Sequence, residues 1–188
     1  RMSAEYLMKA GHQKIACMVH KRDSSILDGY RMAMQSNNLH ILPSWTYEGG
    51  SMEDIEKYGI SQCLSENVTA IICGSKEITC RVCRMLDRSQ TVIPDELSIA
   101  AIGDDEMPEA SGYAVTTVKL PVEEMCRAAV ECLIEMIEED KQFEVKRRFS
   151  PSVTERGSVA KPAQSKQVEK IIVVVSINMD VTFEVLRI

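Results

Sequence analysis

Short apolar runs alternate with longer amphipathic stretches over the first two thirds of the chain. The apolar runs predict strands at 14–19, 69–73 and 97–102, and stretches with apolar residues every three or four positions predict helices at 26–36, 51–65 and 76–88. Residues 1–10 follow the helical pattern as well, and Gly11 ends that helix. Strands separated by helices join through right-handed crossovers, so the pattern predicts an α/β fold with a parallel sheet.

A second series of elements follows residue 105. The predicted elements are, in chain order, a strand at 115–119, a helix at 122–139, a strand at 143–148, an exit segment at 151–155, a linker at 160–168 and a strand at 170–176. Pro121 lies at the start of the long helix, where its missing N–H costs nothing. The linker is assigned on composition, because residues 160–168 show no apolar periodicity.

Composition and charge exclude several classes of protein. The composition, with 45% hydrophobic and 27% charged residues, is that of a soluble globular protein. A length of 188 residues corresponds to one domain and a shorter additional segment. A net charge of −6 offers no basic surface for a nucleic-acid backbone. No apolar run approaches the roughly 20 residues of a membrane helix. The start lacks the pattern of a secretory signal, so we expect a cytoplasmic protein without a membrane partner.

The seven cysteines do not indicate disulfides or a metal site. They lie within apolar-periodic segments, which is typical of buried, reduced side chains in the cytoplasm. Cys80 and Cys83 have the CxxC spacing, but they lie in the middle of a predicted helix and no second pair accompanies them. The three histidines lie in separate segments. We therefore expect no metal, no cofactor and no catalytic constellation within 1–159.

Polar residues directly follow three of the predicted strands, at 20–23, 74–76 and 103–105. The carboxyl ends of parallel strands meet at one edge of a sheet, which is where such sheets bind their ligands. The sequence therefore predicts a ligand site at this edge. The alternative interpretation is that these strand ends simply meet solvent.

Six segments of the chain match one family of bacterial regulators in order and spacing. They are GHQKIACMV, GYRMAM, NVTAIICGS, IPDELSIAAIGDDE, VTTVKLPVEEMCRAAVECLIEMI and FSPSVTERGSV. Together they resemble the effector-binding domain of the LacI/GalR family over residues 1–159. The resemblance implies a periplasmic-binding-protein-like (type I) parallel-sheet sandwich. Residues 12–112 would form most of its C-terminal subdomain, and 1–10 and 118–145 would belong to its N-terminal subdomain.

The resemblance also implies how a complete protein would be organised. The helix-turn-helix that contacts operator DNA, and the first half of the N-terminal subdomain, would be absent from this chain. A homodimer would form partly through helix 76–88 and the segment 105–112. The effector would be a sugar or a sugar phosphate bound between the two subdomains.

The ligand-binding positions of the family carry different residues in this chain. Ile26 stands where the family has an arginine, and Ser75 and Lys76 stand where it has an Asn-Asp pair. Arg22 offers a guanidinium from the preceding loop, and Asp104 is the candidate for accepting hydrogen bonds from ligand hydroxyls. Lys76 favours a phosphorylated or acidic sugar, unless it only begins a surface helix.

The end of the chain resembles a second family. The segment VEKIIVVVSINMD looks like the opening strand of ribokinase-type (PfkB) sugar kinases, with Val175 in place of a glycine that precedes the SINMD motif. The resemblance assigns sugar-hydroxyl contacts to Asn178 and Asp180. It implies domains at 1–159 and 169–188, joined by the linker 160–168, with the second incomplete.

Three functional hypotheses follow from these observations. The first is a sugar-sensing domain of a LacI-type regulator, fused to a ribokinase-like segment. The second is a carbohydrate kinase with an appended regulatory domain; this chain itself is not expected to be an enzyme. The third is a sugar-binding transport protein, which the seven cysteines and the missing signal disfavour.

Overall fold

A six-stranded sheet organises the first 160 residues. The structure is a computed structural model that describes residues 1–49, 54–103, 112–138, 146–162, 172–175 and 183–186. The strands are β1 Ile15–His20, β2 Thr46–Gly49, β3 Ala70–Cys73, β4 Ser98–Ile102, β5 Thr116–Lys119, β6 Ser152–Thr154, β7 Ile172–Val175 and β8 Phe183–Leu186. The helices are α1 Met2–Lys9, α2 Ser24–Ser36, α3 Ser61–Ser65, α4 Lys76–Arg88 and α5 Val122–Glu138.

The sheet is parallel except at one edge. Its strand order is β2-β1-β3-β4-β5-β6, and every neighbouring pair is parallel apart from β5 and β6. This arrangement confirms the predicted α/β fold with a mostly parallel sheet. The remaining two strands, β7 and β8, pair with each other in a separate antiparallel sheet.

The core lies on both faces of the central strands. All four residues of β3 are buried, as expected for a strand covered by helices on both sides. From α2, Leu27, Tyr30, Ala33 and Met34 pack into this core, and the Tyr30 hydroxyl donates a 2.7 Å hydrogen bond to the carbonyl of Ile15. The apolar periodicity of 26–36 therefore identified the buried face of α2 correctly, although the helix begins two residues earlier.

Helix α1 packs on the six-stranded sheet, against the expectation that residues 1–10 belong to the other subdomain. Ala4 and Leu7 are fully buried, and the helix contacts α2, β3, β4 and β5. These contacts make α1 part of the layer that covers the sheet. The helical pattern was correct, but a short amphipathic helix does not specify which surface its apolar face will meet.

Three further local predictions need correction. The predicted loop 43–50 contains β2, a short half-buried edge strand that pairs with β1, and the central part of the predicted helix 51–65 is π-helical over Ile55–Ile60 before α3 begins. In the predicted strand 143–148, the described residues 146–148 form no regular structure. Each of these segments is short or only partly buried, so its apolar pattern is weak.

Four of the seven cysteines behave as small buried hydrophobic side chains, whereas Cys126 on α5 is exposed and Cys132 is half-buried, against the expectation that all seven are buried. Cys17, Cys63, Cys73 and Cys83 are buried and free, and burial raises the pKa of the Cys83 thiol to about 12. Cys80 is half-buried one turn before Cys83. Among the described residues, no group of histidine, cysteine and carboxylate side chains is arranged to hold a metal ion.

Helix α5 shows most of its apolar side chains on the surface of the described chain. Ile137 is 78% exposed, Leu133 is 58% exposed, and Ala128 alone among the residues of α5 is buried. Met125, Cys132, Met136 and neighbouring side chains line an open groove of about 440 Å³ that also includes Arg147 and Phe149. None of the described helices is long and apolar enough to cross a membrane.

His12 connects the segment around Ala160 to the sheet through hydrogen bonds. The ring is buried, with its Nδ1 2.9 Å from the Thr69 hydroxyl and its Nε2 2.9 Å from the Ala160 carbonyl. The Ala160 N–H donates to the Ser98 hydroxyl over 3.1 Å. Ala160, the first residue of the predicted linker, is therefore packed against the domain, and residues 163–168 lie outside the described residues.

We expect the free energy of unfolding to decrease as the pH falls below about 6.5. Burial lowers the pKa of His12, and the hydrogen bond to the Ala160 carbonyl opposes this shift only in part. The unfolded chain then binds a proton at a higher pH than the folded chain, so acid favours unfolding until the folded pKa is reached. Urea titrations at pH 7.5 and 5.5 measure the effect.

The matched variants for this experiment are His12→Gln and His40→Gln, the second at an exposed histidine. His12→Gln is expected to reduce the pH dependence between the two conditions, while His40→Gln leaves it as in the wild-type chain. An unchanged pH dependence in His12→Gln would contradict this assignment.

Candidate functional site

The carboxyl ends of β2, β1, β3 and β4 meet at one edge of the sheet. His20 at the end of β1 is in register with Gly49 at the end of β2, and Cys73 of β3 is in register with Met18 of β1 and Ala101 of β4. The polar segments that follow these strands therefore share one edge, which is the predicted ligand edge of a parallel sheet.

On the β1 side of this edge, a 3₁₀ turn over Lys21–Asp23 leads directly into α2. Arg22 is exposed, and its Nε lies 3.7 Å from Oδ2 of Asp23. An exposed ion pair of this kind adds little stability, so it leaves the guanidinium accessible to a ligand at small cost. The structure thus places Arg22 at the predicted edge and at the molecular surface.

On the β3 side, Ser75 caps helix α4. Its hydroxyl accepts a 3.3 Å hydrogen bond from the Ile78 N–H, and its carbonyl accepts one of 2.7 Å from the Thr79 hydroxyl. Lys76 is the first residue of α4 and is half-buried. Both predicted residues are at the expected edge. The Ser75 hydroxyl caps the helix, so it is less available to contact a ligand.

Glu77 belongs to the same edge, although no pattern in the sequence selected it. Hydrogen bonds from its own backbone N–H and from the Ser75 side chain hold the pKa of the Glu77 carboxyl below its ordinary value, and the nearby His20 and Arg22 lower it further. Because β1 and β3 are paired in register, His20 and Arg22 follow β1 at the same edge of the sheet as Glu77.

His20 is the second residue that the sequence did not select. Its Nε2 is buried and has no hydrogen-bond partner within the part of the chain that the structure describes. Burial of a polar nitrogen without a partner costs about 1–3 kcal/mol. The only sequence signal was its position directly after an apolar strand, which it shares with many residues that meet solvent.

The other predicted site residues lie outside the described residues. Asp104 follows Gly103, the last described residue after β4, and Asn178 and Asp180 fall between β7 and β8. Their assignments therefore remain predictions. Within the described ranges, the edge combines the cationic Arg22 and Lys76 with the acidic Asp23 and Glu77, an arrangement suited to binding a small polar ligand by hydrogen bonds and charge.

An open, mostly parallel sheet with polar residues gathered at its carboxyl edge is the arrangement in which domains of the α/β class bind small ligands. The chain belongs to the periplasmic binding protein-like domain family, whose model matches residues 4–159. The match includes every strand of the six-stranded sheet and all of the described helices that pack on it, except the first two residues of α1.

Curated relatives of the chain are transcriptional repressors. The chain is 27% identical over 168 residues to the HTH-type transcriptional repressor PurR of Vibrio campbellii, covering 85% of this chain and 50% of the repressor. It is 26% identical over 167 residues to the ribose operon repressor of Escherichia coli K12, covering 84% and 49%. The chain therefore spans about half the length of these relatives.

Solved structures show the same fold. A complex of the transcriptional regulator CelR with cellobiose matches with a TM-score of 0.73 at 21% identity, covering 83% of this chain and 50% of the regulator. A sugar-binding LacI-family regulator from Escherichia coli, complexed with phosphate, matches with a TM-score of 0.70 at 24% identity, covering 85% and 59%. These similarities agree with the predicted periplasmic-binding-protein-like architecture.

Proposed function

We propose that the chain is the effector-sensing part of a LacI-type bacterial transcriptional regulator and that it binds a sugar or a sugar phosphate. The observation that carries the proposal is the match of residues 4–159 to the periplasmic binding protein-like family, together with curated relatives that are repressors. The convergence of Arg22, Lys76 and Glu77 at the carboxyl edge supports a polar small-molecule ligand.

The proposal includes a regulatory mechanism in the complete protein. An effector bound at this edge, between two subdomains, favours one relative orientation of those subdomains over another, and the ligand shifts the equilibrium by its difference in affinity for the two. A helix-turn-helix outside this chain would contact operator DNA, and the change in orientation would alter the spacing of two such elements in a cytoplasmic homodimer.

The apolar face of α5 fits this organisation. Its exposed side chains, with Ile137 at 78% exposure, form a surface that an N-terminal subdomain would cover. Residues 118 and 119, which were expected in that subdomain, lie in β5 of the six-stranded sheet. We infer that α5 and the residues that follow it up to 145 belong to the N-terminal subdomain in the complete regulator. We further propose that residues 168–188, which resemble the opening strand of ribokinase-type kinases, belong to a kinase-like segment fused to the sensing domain. Asn178 and Asp180 are the candidate sugar contacts of that segment.

Binding to the carboxyl edge is tested by isothermal titration calorimetry of the complete effector domain, both subdomains included, with pentoses, hexoses and their phosphates. Asp104→Ala is expected to weaken binding roughly 5- to 150-fold, because ligand hydroxyls lose an acceptor worth about 1–3 kcal/mol. Lys76→Ala is expected to weaken the binding of the phosphorylated compounds more than the binding of the neutral ones.

The control is Asp95→Ala, an exposed aspartate that precedes β4 and therefore lies toward the amino end of that strand. It should leave every affinity unchanged. Ligand binding that is equally strong in wild-type chain, Asp104→Ala and Asp95→Ala would remove Asp104 from the site. An absence of binding to every sugar and sugar phosphate would contradict the proposed function itself.

A further inference from the structure

We propose that a second copy of this chain packs on α5, so that the 188-residue chain forms a dimer through an antiparallel pair of α5 helices. The contact uses a seam of four side chains, Cys126, Val130, Leu133 and Ile137. This surface differs from the homodimer contact expected at helix 76–88. The inference goes beyond the proposed function, because it concerns association of the chain and does not depend on a ligand.

The spacing of the seam is the first observation. Its four residues recur at intervals of four, three and four positions, which is the spacing of a coiled-coil seam. Val130 is 55% exposed, Leu133 is 58% exposed and Ile137 is 78% exposed, and Cys126 is exposed as well. The seam is therefore an uncovered apolar line that runs for roughly 17 Å along the helix.

The other sides of α5 have different surroundings. Phe149 of the same chain is half-buried in the groove beside the helix, and Nη1 of Arg147 lies 3.7 Å from Oε2 of Glu131. The charged residues of α5 all lie outside the seam, at Glu123, Glu124, Arg127, Glu131, Glu135 and Glu138. A seam without charge favours an apolar partner surface over an acidic or basic one.

The apolar area of α5 is sufficient for a specific but weak dimer. The seam and the neighbouring Val122, Met125 and Ile134 expose roughly 600 Å² per copy, the upper end of the range for the largest apolar patch on a monomer. Contact between two copies would cover up to about 1,200 Å², the lower limit of standard interfaces. We therefore expect a dimer that depends on concentration, with α5 exposed in the dilute monomer.

An antiparallel arrangement makes the seam complementary to itself. A two-fold axis through the middle of the seam places Val130 against Leu133 of the second copy and Cys126 against Ile137, so a smaller side chain meets a larger one. A parallel pair would place Ile137 against Ile137 and would bring the Glu123 carboxylates of the two copies together, where like charges repel. Antiparallel helix dipoles also attract each other.

Sedimentation velocity of the 188-residue chain over a hundredfold range of concentration tests the dimer. The wild-type sedimentation coefficient is expected to rise from that of a monomer to that of a dimer. Val130→Glu and Leu133→Lys each place a charge in the seam and are expected to weaken association by about a hundredfold or more. The control is Val92→Glu, which changes a 50% exposed apolar side chain between α4 and β4 and should have no effect.

The double variant Val130→Glu, Leu133→Lys tests the pairing of the two positions directly. In the antiparallel dimer, each new carboxylate at 130 faces a new ammonium at 133 of the other copy. Association is therefore expected to return at low salt and to weaken again at high salt. Circular dichroism and the fluorescence of Trp45 show for every variant whether a loss of association comes with a loss of structure.

Three outcomes would overturn the inference. The first is a wild-type chain that stays monomeric at every concentration. The second is a dimer that survives both Val130→Glu and Leu133→Lys, because its contact would then lie elsewhere, as on helix α4. The third is a folded double variant that stays monomeric at low salt, which would contradict the antiparallel pairing. None of these results bears on sugar binding, so the proposed function is judged by calorimetry alone.

Discussion

Leu7→Ala is expected to lower the free energy of unfolding by about 2–5 kcal/mol, a large fraction of the stability of a typical domain. Leu7 is fully buried where α1 packs on the six-stranded sheet. Truncation removes apolar contact area and leaves a cavity that the surrounding strands can only partly fill. Urea denaturation followed by the fluorescence of Trp45, the single tryptophan and a buried one, measures the change.

Leu133→Ala is the matched control for this prediction. The same side chain is removed from α5, where Leu133 is 58% exposed, so the expected loss is within about 0.5 kcal/mol. Equal destabilisation by the two substitutions would show that α1 is not held to the sheet through Leu7. In a complete regulator whose N-terminal subdomain covers α5, Leu133→Ala should instead become destabilising.

Ser158→Ala is expected to cost about 2–4 kcal/mol, although it removes one oxygen atom. The buried Ser158 hydroxyl donates to the Ile99 carbonyl over 2.6 Å and accepts from the Thr116 N–H over 2.7 Å. Alanine leaves two buried backbone groups of β4 and β5 without partners, and each orphaned group costs about 1–3 kcal/mol. Denaturant unfolding of the variant measures the loss.

The control for Ser158 is Ser152→Ala, at an exposed position of β6 on the same returning segment. Its expected effect is within about 0.5 kcal/mol. Hydrogen exchange adds a local readout, because the amide of Thr116 should lose protection in Ser158→Ala but not in Ser152→Ala. A fully protected Thr116 amide in Ser158→Ala would contradict the proposed role of the hydroxyl.

Ser158 also shows how the end of the domain is attached. Arg156, two residues earlier, donates from Nη1 to the Val115 carbonyl over 3.1 Å and to the Thr117 hydroxyl over 2.6 Å. Together with the bond between Ser98 and Ala160, these bonds connect the last part of the domain to β4 and β5, and His12 adds a bond from the segment before β1.

The central strands and the position of the ligand edge could be predicted from the sequence. Continuous apolar runs such as that of β3 belong to strands buried on both faces, and the intervening helical periodicity requires parallel crossovers. Both signals are local, so a single sequence carries them. The polar residues after β1 and β3 then had to share one edge, and the structure places Arg22, Ser75 and Lys76 there.

The composition of the site depended on contacts between segments distant in the chain. Glu77 joins His20 and Arg22 only because β1 and β3 pair in register, and nothing in the sequence around Glu77 indicates that pairing. The hydroxyl of Ser75 was a candidate ligand contact, and its use as a helix cap became visible only when the start of α4 was known. The residue that caps a helix changes when the helix begins one residue earlier or later, and apolar periodicity does not determine the first residue of a helix that closely.

The sequence by itself determined which segments of this protein become buried strands and amphipathic helices, because hydrophobic periodicity reports the period of the backbone and the width of the apolar face. The tertiary structure decided which surface each face meets. The two amphipathic helices α1 and α5 illustrate the difference, since one buries Leu7 on the sheet and the other leaves Ile137 exposed. The two helices have similar apolar patterns because periodicity carries no information about the surface that packs against a helix. An apolar face is buried only where such a surface is present.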